Sequence, residues 1–212
     1  MVTVEEVLQR LPWAARRHRL PSPDEMALLV IDMQEYFRDL AGPLISCMVP
    51  VVETCQQVGV PVIFTRHTQK AGGGDAGMLG EWWSQLIYDG TPEAEILEEL
   101  QPYVDEQGLV RKTRYDAFWN TNLAARLEAL RVRELVISGV MTHLCCETTA
   151  RAAFVRDYRV FFLIDGTATD DVEHHWASLR NLIDGFTYWL SCRELQDHVG
   201  ERGKGLLSKR RR

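Results

Sequence analysis

Six short apolar runs punctuate the chain, and between them lie longer stretches in which apolar residues recur every three or four positions. The runs occupy 27–32 (ALLVID), 60–66 (VPVIFTR), 109–112 (LVRK), 134–140 (ELVISGV), 159–165 (RVFFLID) and 187–191 (TYWLS). They are nearly continuous in apolar character rather than alternating, as parallel strands covered on both faces require. Helical patterns fill 43–58, 91–102, 120–130, 144–156 and 171–184. In EAEILEEL (93–100), Ile96, Leu97 and Leu100 make the apolar stripe of a helix whose acids face water. Five crossover units predict an α/β fold, a Rossmann-like three-layer α/β/α sandwich, with too few repeats for an eightfold barrel. Val4, Val7, Leu8 and Leu11 add a short amphipathic helix, so 1–23 is expected as a helical extension and 203–212 as a frayed tail. No linker or repeat divides residues 1–212, which are expected to form a single domain. Only 67–90 breaks the rhythm, with three consecutive glycines and the pair Trp82–Trp83; a connection this long is usually functional or mobile.

Composition narrows the picture. A chain of 212 residues, 46% hydrophobic and 25% charged, buries a sizeable core on its own. Thirty acidic against 24 basic residues give a net charge of −6, which argues against nucleic acid or an anionic membrane surface as partner. No apolar stretch is long enough to span a bilayer. The first twenty residues carry Glu5 and Glu6 and no apolar leader core. Five scattered cysteines without a Cys-x-x-Cys spacing indicate free thiols in a reducing, cytoplasmic compartment.

Chemistry is expected at one place. In an open parallel sheet, ligands bind beyond the carboxyl ends of the strands where strand order reverses. Asp32 ends the first predicted strand, Lys112 ends the third, and Cys145 lies just past the fourth, where a helix begins. An acid, a base and a thiol therefore share one rim, and a thiol beside an ammonium and a helix N-terminus is expected to have a depressed pKa.

Three segments, LLVIDMQEYF (28–37), VRKTRYDAF (110–118) and SGVMTHLCCETTARAAF (138–154), occur in an order and spacing that resemble the isochorismatase-like hydrolase superfamily over residues 24–198. The resemblance implies a six-stranded parallel sheet of order 3-2-1-4-5-6. It also implies a catalytic triad of Asp32, Lys112 and Cys145, in which Cys145 attacks a carbonyl and Asp32 carries its proton. Further implied are a cis peptide between Val140 and Met141, an oxyanion hole from the N–H groups of Met141 and Cys145, and self-association as a homodimer or homotetramer. The neighbouring Cys146 lies about 100° further round the helix and cannot share the pocket with Cys145. Cys47, Cys55 and Cys192 fall in apolar patterns and read as core.

The chain also departs from the superfamily's branches. Isochorismatases have glycine where Cys145 stands and cleave a vinyl ether by acid catalysis; Ala76 replaces their carboxylate-gripping arginine, and His67 a substrate-contacting glutamine. Nicotinamidases of the superfamily bind a metal through Asp-x-His and a following histidine, whereas TRHTQKAGGG offers His67 alone, so neither metal nor cofactor is expected. His174 and His175 diverge on one helix, His143 is a candidate for the pocket wall, and Asp165 is expected to cap a helix. Candidate contacts to a small-molecule substrate are Gln34, Phe37, Arg66, His67, Tyr115 and Phe118. Gln34 could equally cap the chain turn, and Arg66 could form a rim ion pair. Trp82 and Trp83 either cover the mouth or cross a subunit interface. These features point to a cysteine-dependent hydrolase of a small amide, ureido or carbamoyl compound acting through a thioester. The alternatives are a vinyl-ether hydrolase with Asp32 as acid, and a non-catalytic or redox-sensing binding module.

Overall fold

The structure, a computed structural model, describes residues 2–105 and 108–210, and the side chains as far as residue 202. Its strands are β1 (Met26–Ile31), β2 (Val62–His67), β3 (Val110–Lys112), β4 (Glu134–Val140), β5 (Arg159–Ala168) and β6 (Thr187–Leu190). They form a six-stranded sheet in the order β3-β2-β1-β4-β5-β6, every pair parallel. The order implied by the resemblance is the one observed, and it reverses between β1 and β4.

Alternate residues of β1 serve opposite layers, because side chains of a strand point to the two faces in turn. Ala27, Leu29 and Ile31 join a core with α5 (Leu123–Ala129), α6 (Glu147–Phe154) and α7 (Val172–Gly185). Met26, Leu28 and Val30 join the other core, with α2 (Arg38–Ala41), α3 (Ile45–Gln57) and α8 (Cys192–Arg210). All six residues of β1 are buried, and each large side chain removed from water contributes about 1.5–3 kcal/mol. This double covering explains why the strands read as unbroken apolar runs. The N-terminal helix α1 (Val4–Arg10) opens with a reciprocal Thr3–Glu6 capping box and lays Val7 and Leu11 on the first core.

Three expectations change. Residues 91–102 are not a helix but two 3₁₀ turns, Pro92–Ala94 and Gln101–Tyr103, joined by extended chain around Ile96 and a turn at 98–100. That chain pairs with the segment after β1: Glu35 N–H donates to the Glu95 carbonyl and Leu97 N–H to the Met33 carbonyl. Ile96, Leu97 and Leu100 are buried as anticipated, but the backbone partner is strand-like, and tertiary pairing overrides the helical period. Strand β5 runs three residues past Asp165 to Ala168, its register with β4 shifting between Ile137 and Gly139. Asp165 accepts the Cys192 N–H at the head of α8 (2.7 Å), the capping role anticipated. The backbone from 203 to 210, anticipated as a frayed tail, continues α8, since each residue added to an existing helix gains a hydrogen bond; 211–212 lie outside the described residues. Among the described residues no helix is long and apolar enough to cross a membrane.

One buried histidine ties the helix layer to the site. His175 Nδ1 lies 2.9 Å from Thr142 Oγ1, at the head of the helical segment that carries Cys145. Burial pushes its pKa down to about 4, against 6.5 for a free imidazole. Between those values the ring is neutral in the fold and charged in the unfolded chain, so unfolding takes up a proton. Stability should therefore fall by up to about 3 kcal/mol as pH drops from 6.5 to 4. Urea unfolding of His175→Asn across that range should lose one proton's worth of the slope; an unchanged slope would place the uptake elsewhere.

Candidate active site

The chain leaves β1 through Asp32, whose φ of +49° is left-handed, a conformation aspartate tolerates better than most residues. Beside it, Gly139 has a φ of +106°, and a Cβ there would meet the Ile31 carbonyl oxygen at 2.0 Å. Only glycine lets β4 pass so closely against the end of β1, which sets the reversal point at the site. The Thr65 hydroxyl on β2 donates to Asp32 Oδ1 (2.5 Å) and accepts the Asp32 N–H (3.1 Å), fixing one carboxylate oxygen.

The other oxygen, Oδ2, lies 2.6 Å from Lys112 Nζ; both side chains are fully buried. Oδ2 pairs with this charge but receives no well-directed hydrogen bond, so a lone pair stays available to take a proton. The Lys112 ammonium reaches from β3 to three further neighbours: Cys145 Sγ (3.2 Å), the Arg114 carbonyl oxygen (3.0 Å) and His67 Nδ1 (3.4 Å). Burial works against this charge, but the Asp32 carboxylate and the Cys145 sulfur outweigh it and hold Lys112 above its ordinary value. The Val140–Met141 peptide is cis. After it, Thr142–Cys146 forms a π-helical turn that runs directly into α6 and presents Cys145 to Lys112.

The thiol itself differs from expectation. Burial pushes Cys145 up to about 12; the Lys112 ammonium opposes the shift and the Asp32 carboxylate adds to it. One ammonium cannot neutralise a carboxylate and a thiolate at once in a buried site. The resting triad is therefore a thiol beside an Asp–Lys ion pair, not a preformed thiolate. Cys146 turns under the sheet, its Sγ 3.9 Å from the Ser138 carbonyl oxygen, and burial raises its pKa well above the ordinary value.

Above the triad opens a cavity of about 510 Å³ with Cys145 and Met141 in its lining. Of the six anticipated substrate contacts, Phe37, His67 and Tyr115 line it. The other three are engaged elsewhere. Gln34 is buried, donating to the His67 and Ala94 carbonyls and accepting the His67 N–H, so it clamps β1 to β2. Arg66 pairs with Glu95 at 2.9 Å, the rim ion pair. Phe118 packs in the core against Tyr158, ring centroids 6.0 Å apart. His67 stays neutral, pushed down to about 4 by burial and the neighbouring ammonium.

Of the wall residues that the long connection supplies, sequence reasoning offered Trp83 as a cover of the mouth and missed Leu79, Leu86 and Ile87. The 67–90 connection folds over the mouth through α4 (Met78–Trp82) and supplies Leu79, Trp83, Leu86 and Ile87. Trp83 Nε1 donates to the Tyr115 hydroxyl at 2.6 Å, tying this cover to the β3 side, whereas Trp82 is 74% exposed. The lining carries two carboxylates, Asp39 and Asp170, and no lysine or arginine. Ala76, where a carboxylate-gripping arginine was sought, is buried.

A metal held in the triad does not fit. Asp32, His67 and Cys145 bring ligand atoms within 4.8 Å of one another, but the Lys112 ammonium lies within 3.4 Å of each of them. A second cation there would be repelled.

Comparison with known proteins agrees with this architecture. The family model described as Isochorismatase domain matches residues 26–194. Nicotinamidase 3 of Arabidopsis thaliana is 46% identical over 184 residues, covering 85% of this chain and 91% of that protein. Isochorismatase of Bacillus subtilis (strain 168) is 32% identical over 167 residues, 76% of this chain; the chain spans about half of that relative, 53%. The crystal structure of a cysteine hydrolase from Pseudomonas syringae pv. phaseolicola 1448A superposes with a TM-score of 0.79 at 24% identity, covering 88% of this chain and 97% of that one, a likeness of fold.

Proposed function

The chain belongs to the isochorismatase family, and we propose that it hydrolyses a small uncharged amide, with Cys145 as nucleophile, Asp32 as proton carrier and Lys112 aligning both. The observation that carries this reading is the buried ammonium in contact with carboxylate and thiol at the floor of one cavity. On substrate binding the thiol proton passes to Asp32 Oδ2 and Sγ bonds to the amide carbon. The oxyanion is received by the N–H groups of Met141 and Cys145; losing one such donor typically costs 10²–10³-fold in rate. Asp32 returns the proton to the nitrogen, the C–N bond breaks, and ammonia or an amine leaves a thioester. Water, giving a proton to Asp32, then attacks the thioester to release the acid, and Asp32 returns that proton to sulfur.

The substrate's neutrality follows from the lining. Aromatic and aliphatic side chains predominate, and the two carboxylates have no cationic counterpart on the wall. A ureido acid or a dicarboxylate such as isochorismate would bury its charges there unpaired, which is costly. A planar aromatic amide, as the name of the plant relative suggests, fits the Phe37, Trp83 and Tyr115 wall.

Initial rates of ammonia release should favour nicotinamide and benzamide over N-carbamoyl amino acids by about 10²-fold in kcat/KM, the scale of leaving a substrate carboxylate unpaired. Faster turnover of the carbamoyl acids, or cleavage of isochorismate with no amide hydrolysis, would overturn the assignment.

A further inference from the structure

The exposed end of the sheet holds a second cluster that the triad chemistry does not use. His143, on the turn before α6, and His174, in the first turn of α7, stack with ring centroids 4.5 Å apart and 27° between planes. Asp170 completes the group, and one ligand atom from each of the three lies within 4.8 Å of the others. Asp170 also lines the active-site cavity, which places the cluster at its mouth.

A hydrogen-bond relay prepares one ligand. Thr169 Oγ1 lies 2.7 Å from His143 Nδ1 and 3.1 Å from Asp170 Oδ1; with its single proton given to the carboxylate, it accepts from His143 Nδ1–H. In that arrangement the proton sits on Nδ1 and the Nε2 lone pair of His143 is open. Such an outer partner is what orients a metal-bound imidazole and fixes its tautomer. On the α7 side, Asp171 Oδ1 accepts the N–H groups of Glu173 and His174 and holds the backbone from which His174 projects.

We propose that His143, His174 and Asp170 bind a divalent first-row transition ion of the Zn²⁺ class at the mouth of the cavity, with at least one coordination position left to solvent. Two imidazoles and one carboxylate match the preferences of such ions and not those of Ca²⁺ or Mg²⁺, which take all-oxygen shells. Bonds of about 2.0–2.1 Å set tetrahedral ligand atoms about 3.3 Å apart. The cluster must therefore close by up to roughly 1.5 Å, a movement available to the exposed side chains of His174 and Asp170.

The test is calorimetric titration of EDTA-stripped, desalted protein with Zn²⁺, repeated for His174→Ala, Thr169→Val and Cys145→Ser. The wild type should bind one ion per chain at this site. His174→Ala should weaken that binding at least about tenfold, Thr169→Val about tenfold, and Cys145→Ser should leave it unchanged. Co²⁺ loaded into the site should show d–d bands without thiolate charge transfer. The proposal fails if the wild type binds no ion, if His174→Ala binds as tightly as wild type, or if Cys145→Ser abolishes binding. The readout is binding, so it stands apart from the amidase reading.

Discussion

Cys145→Ala is expected to lose amide hydrolysis by about 10⁴-fold or more while folding normally, because it removes the atom that bonds to the substrate and leaves the cavity walls in place. Single-turnover ammonia release and far-UV circular dichroism measure the two halves of this statement. Cys146→Ala is the control: its sulfur lies under the sheet against the Ser138 carbonyl, so kcat/KM should stay within about threefold of wild type, a shift of under 1 kcal/mol in barrier. The resting thiol adds a pH signature. With Cys145 at about 12, the thiolate fraction rises tenfold per pH unit through neutrality, so alkylation of Cys145 by iodoacetamide should accelerate steadily from pH 6 to 9. A plateau near pH 7 would mean a preformed thiolate, and an inactive Cys146→Ala beside an active Cys145→Ala would move the nucleophile by one residue.

Removing either member of the Asp32–Lys112 pair should abolish activity and also destabilise the fold. Both side chains are fully buried, and deleting one partner strands the other charge in the core at a cost of about 3–5 kcal/mol. For a chain of this size that lowers the melting temperature by about 10 °C. Lys112→Met alone leaves the carboxylate beside a neutral side chain, and Asp32→Ala alone leaves the ammonium with only the Cys145 sulfur, His67 and a carbonyl. The double variant Asp32→Ala/Lys112→Met removes both charges. It should recover most of the lost stability and none of the activity, as thermal melts and ammonia release would show. Single variants that melt with the wild type would mean that water reaches the pair.

The three chemical groups were legible in the sequence because each stands where an apolar run stops: Asp32 after β1, Lys112 at the end of β3, Cys145 just past β4. A strand's end in a parallel sheet is a definite place, so residues far apart in the chain could be assigned to one rim. The same reasoning reached only part of the pocket wall: Phe37, His67 and Tyr115 line the cavity. Gln34, Arg66 and Phe118 flank the motifs but turn to carbonyls, to Glu95 and to the core, choices made by neighbours from other segments. Leu79, Leu86 and Ile87 come from a connection with no periodicity to interpret. The 91–102 stretch shows the limit most clearly: its apolar spacing suited a helix, and the open backbone groups after β1 made it an extended partner instead.

The sequence by itself determined the layers, the apolar strands and the positions of Asp32, Lys112 and Cys145, since these follow from local periodicity and from where it ends. Tertiary structure alone decided the protonation of the thiol, because that depends on how one ammonium is shared between a carboxylate and a sulfur in a buried site. It also decided the neutral lining of the cavity and the meeting of His143 with His174, contacts between segments distant in the chain, whose geometry no local pattern records.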